Sequence, residues 1–118
     1  ACIDAPEIKQ AGGIESRDYL RSMLTDNREI ILMGAEKDQY GRSVVEVFAM
    51  TDTPGLEVGV NGEMVLAGMA HYYERYKSSC PFNAEQYEFL EQEAISNKAG
   101  VWANGGAERP WDWRKRNK

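Results

Sequence analysis

The sequence has few of the residues on which metal-stabilised and disulfide-rich folds depend. Its 118 residues include two cysteines and one histidine, with no Cys-x-x-Cys pair and no Cys/His cluster at zinc-ligand spacing. This composition excludes the common structural zinc sites. Cys2 and Cys80 are either small buried thiols or one disulfide, and a disulfide would indicate an oxidising compartment. The single histidine, His71, falls in a predicted helix, where a structural role is the simplest interpretation.

The sequence also lacks any apolar run as long as a membrane span, and no signal peptide is visible. With 42% hydrophobic and 28% charged residues, it is typical of one soluble globular domain, and we expect no membrane partner. Because the chain starts inside an apolar segment at Ala1, it is compatible with a removed leader. Such a leader would predict a secreted or periplasmic protein.

A broad basic surface is also missing. Four of the 14 basic residues lie in the last five positions, so the rest of the chain has 10 basic residues against 19 acidic ones. A body this acidic has no broad basic face with which to clasp nucleic acid. Any phosphate chemistry must therefore depend on a few local cations, on a metal ion or on the basic C-terminal residues.

The hydrophobic pattern predicts an α+β chain with rather few strands. Runs rich in β-branched residues predict strands over residues 29–33, 43–50 and 56–60. Three helices are predicted, with Ser16, Asn61 and Asn83 as their caps. The second of these helices is expected to reach Tyr72, because Met64 and later apolar residues continue its stripe.

The opening motif Asp4-Ala5-Pro6-Glu7 is the first candidate for chemistry. Pro6 biases Ala5 towards extended backbone and removes one backbone donor. We therefore expect Asp4 to end a strand and Glu7 to lie in the following loop. A solvated acidic turn is the simple interpretation. The alternative is part of a metal site, since calcium is satisfied by carboxylates, backbone carbonyls and waters.

Four stretches of the sequence stand in a common register. They are Cys2-Ile3-Asp4-Ala5-Pro6-Glu7, Asp38-Gln39-Tyr40-Gly41-Arg42, Val60-Asn61 followed by Gly68-Met69-Ala70, and Lys98-Ala99-Gly100-Val101-Trp102. In order and spacing they resemble the staphylococcal nuclease (thermonuclease) family. The resemblance implies a five-stranded OB-fold β-barrel with about three helices, acting as a calcium-dependent nuclease on DNA and RNA. The family's first two strands and half of the third have no counterpart, so the barrel is expected to be incomplete at the N-terminus.

The resemblance implies a division into a nuclease-like domain over residues 1–102 and a basic, aromatic C-terminal tail over residues 103–118. Trp102 is expected to pack back onto the domain. The tail mixes tryptophans with cations, which suits nucleic acid or an acidic partner. A flexible terminus is the alternative for this segment.

The resemblance also implies roles for the first two motifs. Asp4 and the backbone carbonyl of Ala5 are the predicted calcium ligands, and Glu7 is the predicted general base on the attacking water. Arg42 is predicted to hold the scissile phosphate. These residue types suit the chemistry, because a positioned base contributes about 10²–10⁴-fold and a guanidinium binds two phosphate oxygens with its planar fork.

Tyr40 and Tyr76 match tyrosines that line the family's nucleotide site. Two departures weaken this match, because Gln39 replaces an expected lysine and Glu74 replaces an expected tyrosine. Both changes remove contacts to the nucleotide or add negative charge. We therefore expect weaker nucleotide affinity than in the family pattern.

Three functional interpretations follow from these observations. The leading one is a calcium-dependent nuclease acting on DNA or RNA, preferably single-stranded, with Glu7 as base. The second is a non-catalytic OB-type module that binds nucleic acid or protein, or an inactive fragment of a nuclease. The third adds a strand-exchanged homodimer, since an exposed sheet edge left by missing strands promotes pairing between chains.

Overall fold

The chain folds as an α+β structure with short strands. The computed structural model describes residues 1–25, 28–75, 80, 84–104 and 107–118, with the backbone alone at residues 35 and 36. The strands within these ranges are β1 (Ile3–Asp4), β2 (Ile30–Lys37), β3 (Ser43–Met50), β4 (Glu57–Gly59) and β5 (His71–Tyr72). The helices are α1 (Gly13–Met23), α2 (Val60–Leu66), α3 (Ala84–Ser96) and α4 (Pro110–Arg116), with a 3₁₀ turn at Gly100–Trp102. Among the described helices, none combines the length and apolar character needed to cross a membrane.

The strands form two antiparallel sheets. In the larger sheet β3 lies between β2 and β4, and in the smaller one β1 pairs with β5. The smaller sheet places Asp4 opposite His71. Across the ranges that the structure describes, the two sheets do not close into a barrel. This confirms the predicted α+β class and agrees with the expected incomplete barrel.

The three strands predicted from the sequence are present. β3 has the predicted bounds, and β4 is shorter than predicted by one residue at each end. β2 starts at Ile30 but runs to Lys37, four residues beyond the predicted end. A register shift between Met33 and Glu36 lets this polar segment continue the ladder, and Gly34 has a φ of 114° there. A bulge of this kind is invisible to an analysis based on strict alternation.

Helix α2 supplies the centre of the core. Its Val60, Met64 and Val65 are buried and cluster with Ala49 of β3 and Tyr87 of α3. Each large apolar side chain removed from water in this way contributes about 1.5–3 kcal/mol. The core therefore lies between the larger sheet and the two central helices. Partly buried Ile3 of β1 packs against it.

The prediction that the second helix continues to Tyr72 is wrong, as is the helical placement of His71. Helix α2 ends at Leu66, and His71 and Tyr72 form strand β5. The reason lies at Gly68, whose φ is 71° and where an added Cβ would overlap the carbonyl oxygen of Ala99. Only glycine adopts this backbone without cost and allows so close an approach, so the chain leaves the helix there. The released segment then pairs with β1.

Two of the predicted helix caps are also wrong. Ser16 lies inside α1, where its buried hydroxyl donates to the carbonyl of Met69 at 2.6 Å. Asn61 lies inside α2, where its Oδ1 accepts the Val47 N–H at 3.1 Å and its Nδ2 donates to the Ala1 carbonyl at 3.0 Å. Both side chains tie separate elements together instead of ending a helix. The third predicted cap, Asn83, lies outside the described residues.

The two cysteines form a disulfide, which settles the alternative left open by the sequence. Their Cα atoms are 5.3 Å apart, and the bridge joins positions separated by 78 residues. Beside it lies the buried carboxylate of Glu46, which accepts a hydrogen bond from the hydroxyl of Tyr87. Desolvation, together with this hydrogen bond, raises the pKa of Tyr87 above its ordinary value. The bridge thus fastens β1 to the start of the segment that leads into α3.

Residues 110–116 form a helix that packs on the domain. Pro110, at the first helical position of α4, is buried, as is Trp102 in the 3₁₀ turn. The side-chain amide of Gln10 donates to the carbonyl of Glu108 at 2.8 Å, which joins the segment before α4 to the loop after β1. Trp102 therefore packs back as expected. The tail residues of α4 form ordered structure beside β1 and β5.

Candidate active site

The candidate site is built on β1 and the turn that follows it. Asp4 is the last residue of β1, and Glu7 lies in the loop beyond Pro6, as the sequence predicts. Gln10 holds this loop twice, since its N–H donates to the Glu7 carbonyl at 2.8 Å and its Oε1 accepts the Glu7 N–H at 3.1 Å. Ala5, between the two acids, packs partly buried against the core. The two carboxylates are therefore held by a short, hydrogen-bonded turn.

One guanidinium joins the two carboxylates. Arg114 of α4 contacts Asp4 with both terminal nitrogens, at 2.5 Å from Nη2 to Oδ2 and 3.2 Å from Nη1 to Oδ1. Its Nη1 also donates to Oε1 of Glu7 at 2.8 Å. The Asp4 side chain is only 16% exposed, whereas those of Glu7 and Arg114 are each 40% exposed. The hydrogen bonds to Asp4 raise the pKa of Arg114 most, partial burial acts in the opposite direction, and the hydrogen bond to Glu7 raises it further.

Arg42, the predicted phosphate ligand, lies at the tip of the β2–β3 hairpin. Its Nε donates to Oδ2 of Asp38 at 2.6 Å, and its guanidinium lies 5.2 Å from the ring centroid of Tyr40. The side chain of Arg42 and the residue Tyr40 are each 73% exposed. The arginine that reaches Asp4 and Glu7 in this structure is Arg114 and not Arg42. Tyr76, the second predicted nucleotide contact, lies outside the described residues.

The hairpin tip is organised by Asp38. Partial desolvation acts to raise its pKa, but the backbone N–H groups of Arg42 and Tyr40 and the Arg42 guanidinium outweigh this effect, so the pKa of Asp38 is lowered. The same acceptor therefore fixes the turn and holds the Arg42 side chain. Because the pair is exposed to solvent, its contribution to stability is small. Arg42 is thus free to exchange Asp38 for another anion at little cost.

A buried network lies behind Asp4 and holds α4 in place. Arg109, the residue before α4, donates from Nη1 to Oε2 of Glu91 at 2.8 Å, and the same nitrogen lies 3.1 Å from Nδ1 of His71. The Arg109 guanidinium also lies over the rings of Trp102 and Trp111, at 5.1 and 5.5 Å from their centroids. Glu91 Oε2 additionally accepts the backbone N–H of β5 at residue 72 at 2.7 Å. This network links α3, β5 and α4, and so determines where Arg114 points.

We expect His71 to stay neutral well below the pH at which histidine usually titrates. Desolvation, followed by the charge of Arg109, lowers the pKa of His71 to about 4, against a smaller opposing effect of Glu91. His71 is the only histidine, so its ring Hε1 proton gives one NMR signal that needs no assignment among histidines. A titration should show a midpoint near 4 in the folded chain. The same signal in urea should show a midpoint of about 6.5.

The sign of the effect on stability follows from this depressed pKa. Between the two midpoints, His71 binds a proton in the unfolded chain but not in the folded chain. The contribution of His71 to the free energy of unfolding is therefore fully present above pH 6.5 and is lost as the pH falls towards 4. Over this pH range the free energy of unfolding changes by about 3 kcal/mol in total. A folded-state midpoint near 6.5 would contradict the neutral assignment of His71.

A cleft of about 780 Å³ lies between β5, α3 and α4. The rings of Tyr73 and Trp111 stack in its wall, with centroids 4.5 Å apart and an interplanar angle of 11°. Cations from two segments, Arg75 and Lys115 among them, line the same cleft, together with acidic side chains such as Glu74. The cleft therefore combines an aromatic stack with side chains of both charges.

Comparisons with known proteins identify the family of this chain. The family model described as "Staphylococcal nuclease homologue" matches residues 1–104. The chain belongs to the staphylococcal nuclease family. It is 38% identical over 121 residues to a micrococcal nuclease of Shigella flexneri, an alignment that covers 100% of this chain and 67% of that protein. An uncharacterized endonuclease of Escherichia coli O157:H7 is 33% identical over 114 residues, with 97% of this chain and 67% of the relative covered.

A plant nuclease is also similar in sequence to this chain. The staphylococcal-like nuclease CAN1 of Arabidopsis thaliana is 33% identical over 113 residues, which cover 96% of this chain and 31% of that protein. The chain thus corresponds to about two thirds of the bacterial relatives and about a third of the plant one. This confirms the family inferred from the four motifs and supports nuclease activity at the level of the family.

Within this nuclease-family fold, Arg114 is the site residue that the sequence analysis missed. It was assigned to the basic tail, 110 positions away from Asp4 in the chain. Pro110 at a helix start and the helical spacing of Trp111 and Lys115 were the available signals for an ordered α4. Nothing in one sequence pairs Arg114 with two acids at the other end of the chain.

Proposed function

We propose that this chain is a calcium-dependent nuclease that hydrolyses phosphodiester bonds in DNA and RNA. The observation that carries the proposal is the convergence of Asp4 and Glu7 on one cationic group. Two carboxylates that share a cation, one largely buried and one half-exposed, provide unequal environments for two different roles. In this proposal Asp4 binds the metal, Glu7 is the general base and Arg42 holds the phosphate.

The proposed calcium ligands lie at the end of β1 and directly after it. Asp4 and the backbone carbonyl of Ala5 are hard oxygen ligands of the kind that calcium prefers, and the guanidinium of Arg114 already occupies a position where positive charge is favoured. When bound, calcium would polarise a phosphate oxygen and neutralise the charge that develops during hydrolysis. Arg114 acts as a stand-in for that positive charge.

The chain's own residues account for the remaining requirements of hydrolysis. Glu7 is 40% exposed, so water reaches the oxygen that is to accept a proton. Arg42 carries a permanent charge at an exposed hairpin tip, where it can pair with two oxygens of a phosphate. The cleft beside α4, with the stacked Tyr73 and Trp111, supports a preference for single-stranded substrate.

The test is cleavage of a labelled single-stranded DNA by the 118-residue chain, with calcium or with a calcium chelator. Chelation should lower the rate by roughly 10²-fold or more, because a bound metal contributes several kcal/mol of charge stabilisation. Added calcium should restore it. A duplex of the same sequence serves as the matched substrate for the single-strand preference. Equal rates with calcium and with chelator would contradict the calcium dependence.

A second candidate function is supported by one feature of the site. Because Arg114 occupies both carboxylates, the structure also suits a non-catalytic module that binds a single strand in the cleft. Such a module would retard the DNA in a salt-sensitive gel-shift assay without cutting it at any calcium concentration. The same samples therefore separate the two functions.

A further inference from the structure

The contacts of Arg114 lead to an inference that rests on the proposed function and concerns its metal site. We propose that Arg114 is a positioning residue that pairs with both Asp4 and Glu7 and competes with the divalent cation for Asp4. The helix that carries it thereby sets the calcium affinity of the site. Calcium binding requires the Arg114 guanidinium to leave Asp4.

The geometry makes the two cations mutually exclusive at Asp4. Arg114 contacts both carboxylate oxygens of Asp4, one from each terminal nitrogen, and so occupies the carboxylate that a metal would need as a ligand. Two positive groups at ligand distance from one carboxylate repel each other, and Asp4 is only 16% exposed, which limits screening by water. The same nitrogen that reaches Oδ1 of Asp4 also reaches Glu7, so one displacement frees both acids.

The position of Arg114 follows from the packing of α4. Pro110 is fully buried at the start of the helix, and Arg109 is held by buried Glu91 and by the rings of two tryptophans. The backbone of α4 is therefore fixed, while the Arg114 side chain remains 40% exposed. A guanidinium on a long, half-exposed side chain leaves its partner without unfolding the helix. Exchange with a cation from solvent thus requires only a change of rotamer.

Pairing with Arg114 also gives the acids a defined arrangement before the metal arrives. Asp4 and Glu7 would otherwise repel each other, and the guanidinium removes this repulsion by binding both. The site consequently has two states, with Arg114 bound in one and a divalent cation bound in the other. The balance between them shifts with calcium concentration, because each cation binds only one state at Asp4.

The experiment compares calcium affinity in the full chain and in three variants. Arg114→Gln removes the charge and should bind calcium about tenfold more tightly, which corresponds to about 1.4 kcal/mol. Arg114→Lys keeps the charge but loses the bidentate fork, so its affinity should lie between that of the wild type and Arg114→Gln. Arg116→Gln is the matched control, because Arg116 makes a similar bidentate pair on the same helix, with Glu108, and should leave the affinity unchanged.

Affinity is measured by calorimetric titration with calcium chloride and by the rise in melting temperature that calcium produces in each variant. Circular dichroism establishes that each variant is folded. If Arg114→Gln does not fold, the Arg114→Lys variant carries the comparison, since it keeps the positive charge at the helix. Equal or weaker calcium binding in the Arg114 variants, or an equal gain in Arg116→Gln, would overturn the inference.

DNA cleavage in the same samples keeps the two proposals distinguishable. Cleavage by the wild type with unchanged calcium affinity in Arg114→Gln would leave the nuclease proposal standing and overturn the role of Arg114. Tighter calcium binding in Arg114→Gln without cleavage by any sample would support the competition at Asp4 and contradict the nuclease proposal. The calcium concentration at half-maximal rate should fall about tenfold in Arg114→Gln, in parallel with its binding constant.

Discussion

Replacing Glu7 with glutamine is expected to lower the rate of calcium-dependent DNA cleavage by about 10²–10⁴-fold. Glutamine has the same shape, but its neutral amide cannot accept a proton from water at neutral pH. The rate loss therefore reports the chemical role of one oxygen.

The structure predicts that this variant remains folded. The Glu7 carboxylate is 40% exposed and contacts Arg114 through one nitrogen, while Arg114 keeps both contacts to Asp4. An amide oxygen at position 7 can still accept that hydrogen bond. We expect the free energy of unfolding to change by no more than about 1 kcal/mol, as for other exposed ion pairs. The loss would then lie in the rate and not in the amount of folded protein.

The measurement is single-turnover cleavage of a labelled oligonucleotide at saturating calcium. Glu15→Gln is the matched control, since Glu15 is an exposed glutamate in the first turn of α1 and the change removes the same charge nearby. It should cleave at the wild-type rate. A Glu7→Gln rate within a few-fold of that control would assign the general base to another group.

Breaking the disulfide is expected to have the largest effect on stability. The bridge between Cys2 and Cys80 spans 78 residues, and closing a loop of that size lowers the entropy of the unfolded chain by an amount worth about 4–5 kcal/mol. Many domains of this size have a total stability of only about 5–15 kcal/mol. Reduction should therefore remove a large part of the free energy of unfolding.

The site should be lost along with this stability. Cys2 lies two residues before Asp4, and β1 pairs with β5 over only two residues, so the bridge holds much of the N-terminal segment in place. Urea unfolding with and without a reductant measures the effect. In Cys80→Ala the reductant should change nothing, which controls for its action elsewhere. A loss of less than about 1 kcal/mol on reduction would contradict this role of the bridge.

The disulfide also bears on where the chain functions. Such bridges persist in oxidising compartments, and a protein that depends on one for a large part of its stability is poorly suited to a reducing one. We therefore expect purified oxidised chain to retain Asp4 and Glu7 in their observed arrangement, and reduced chain to lose it. Cleavage assays should be run without reductant.

The parts of the fold that the sequence predicted are those in which local forces decide. The run rich in β-branched residues from Ser43 to Met50 matched the bounds of β3, because such residues favour strands locally, although the buried positions, Glu46 and Ala49, do not alternate. Asp4 ended a strand and Glu7 entered a loop, because Pro6 restricts its neighbour and has no N–H to donate. The family was likewise inferred from short sequence motifs, and the match of the family model over residues 1–104 confirmed it.

The errors arose where distant contacts outweighed local preference. His71 and Tyr72 continue a helical stripe, yet Gly68 brings the chain against residues 99–100 and β1 offers hydrogen bonds, so they form a strand. Ser16 and Asn61 resemble helix caps, but each is used inside a helix to join two separate elements. A polar residue beside an apolar run can cap a helix or join two elements from inside a helix, and only the packing around it decides between these two roles.

One part of the candidate site could be predicted from the sequence, and the other part depends on distant contacts. The sequence alone identified the paired acids and their order around a proline, because this chemistry is encoded within four consecutive residues. Arg114 became part of the site only through α4, which Glu91, His71 and Arg109 fix against β5. An ion pair between residues 110 positions apart depends on the path of the whole chain, since Coulomb attraction acts through space and leaves no periodic signal in the sequence.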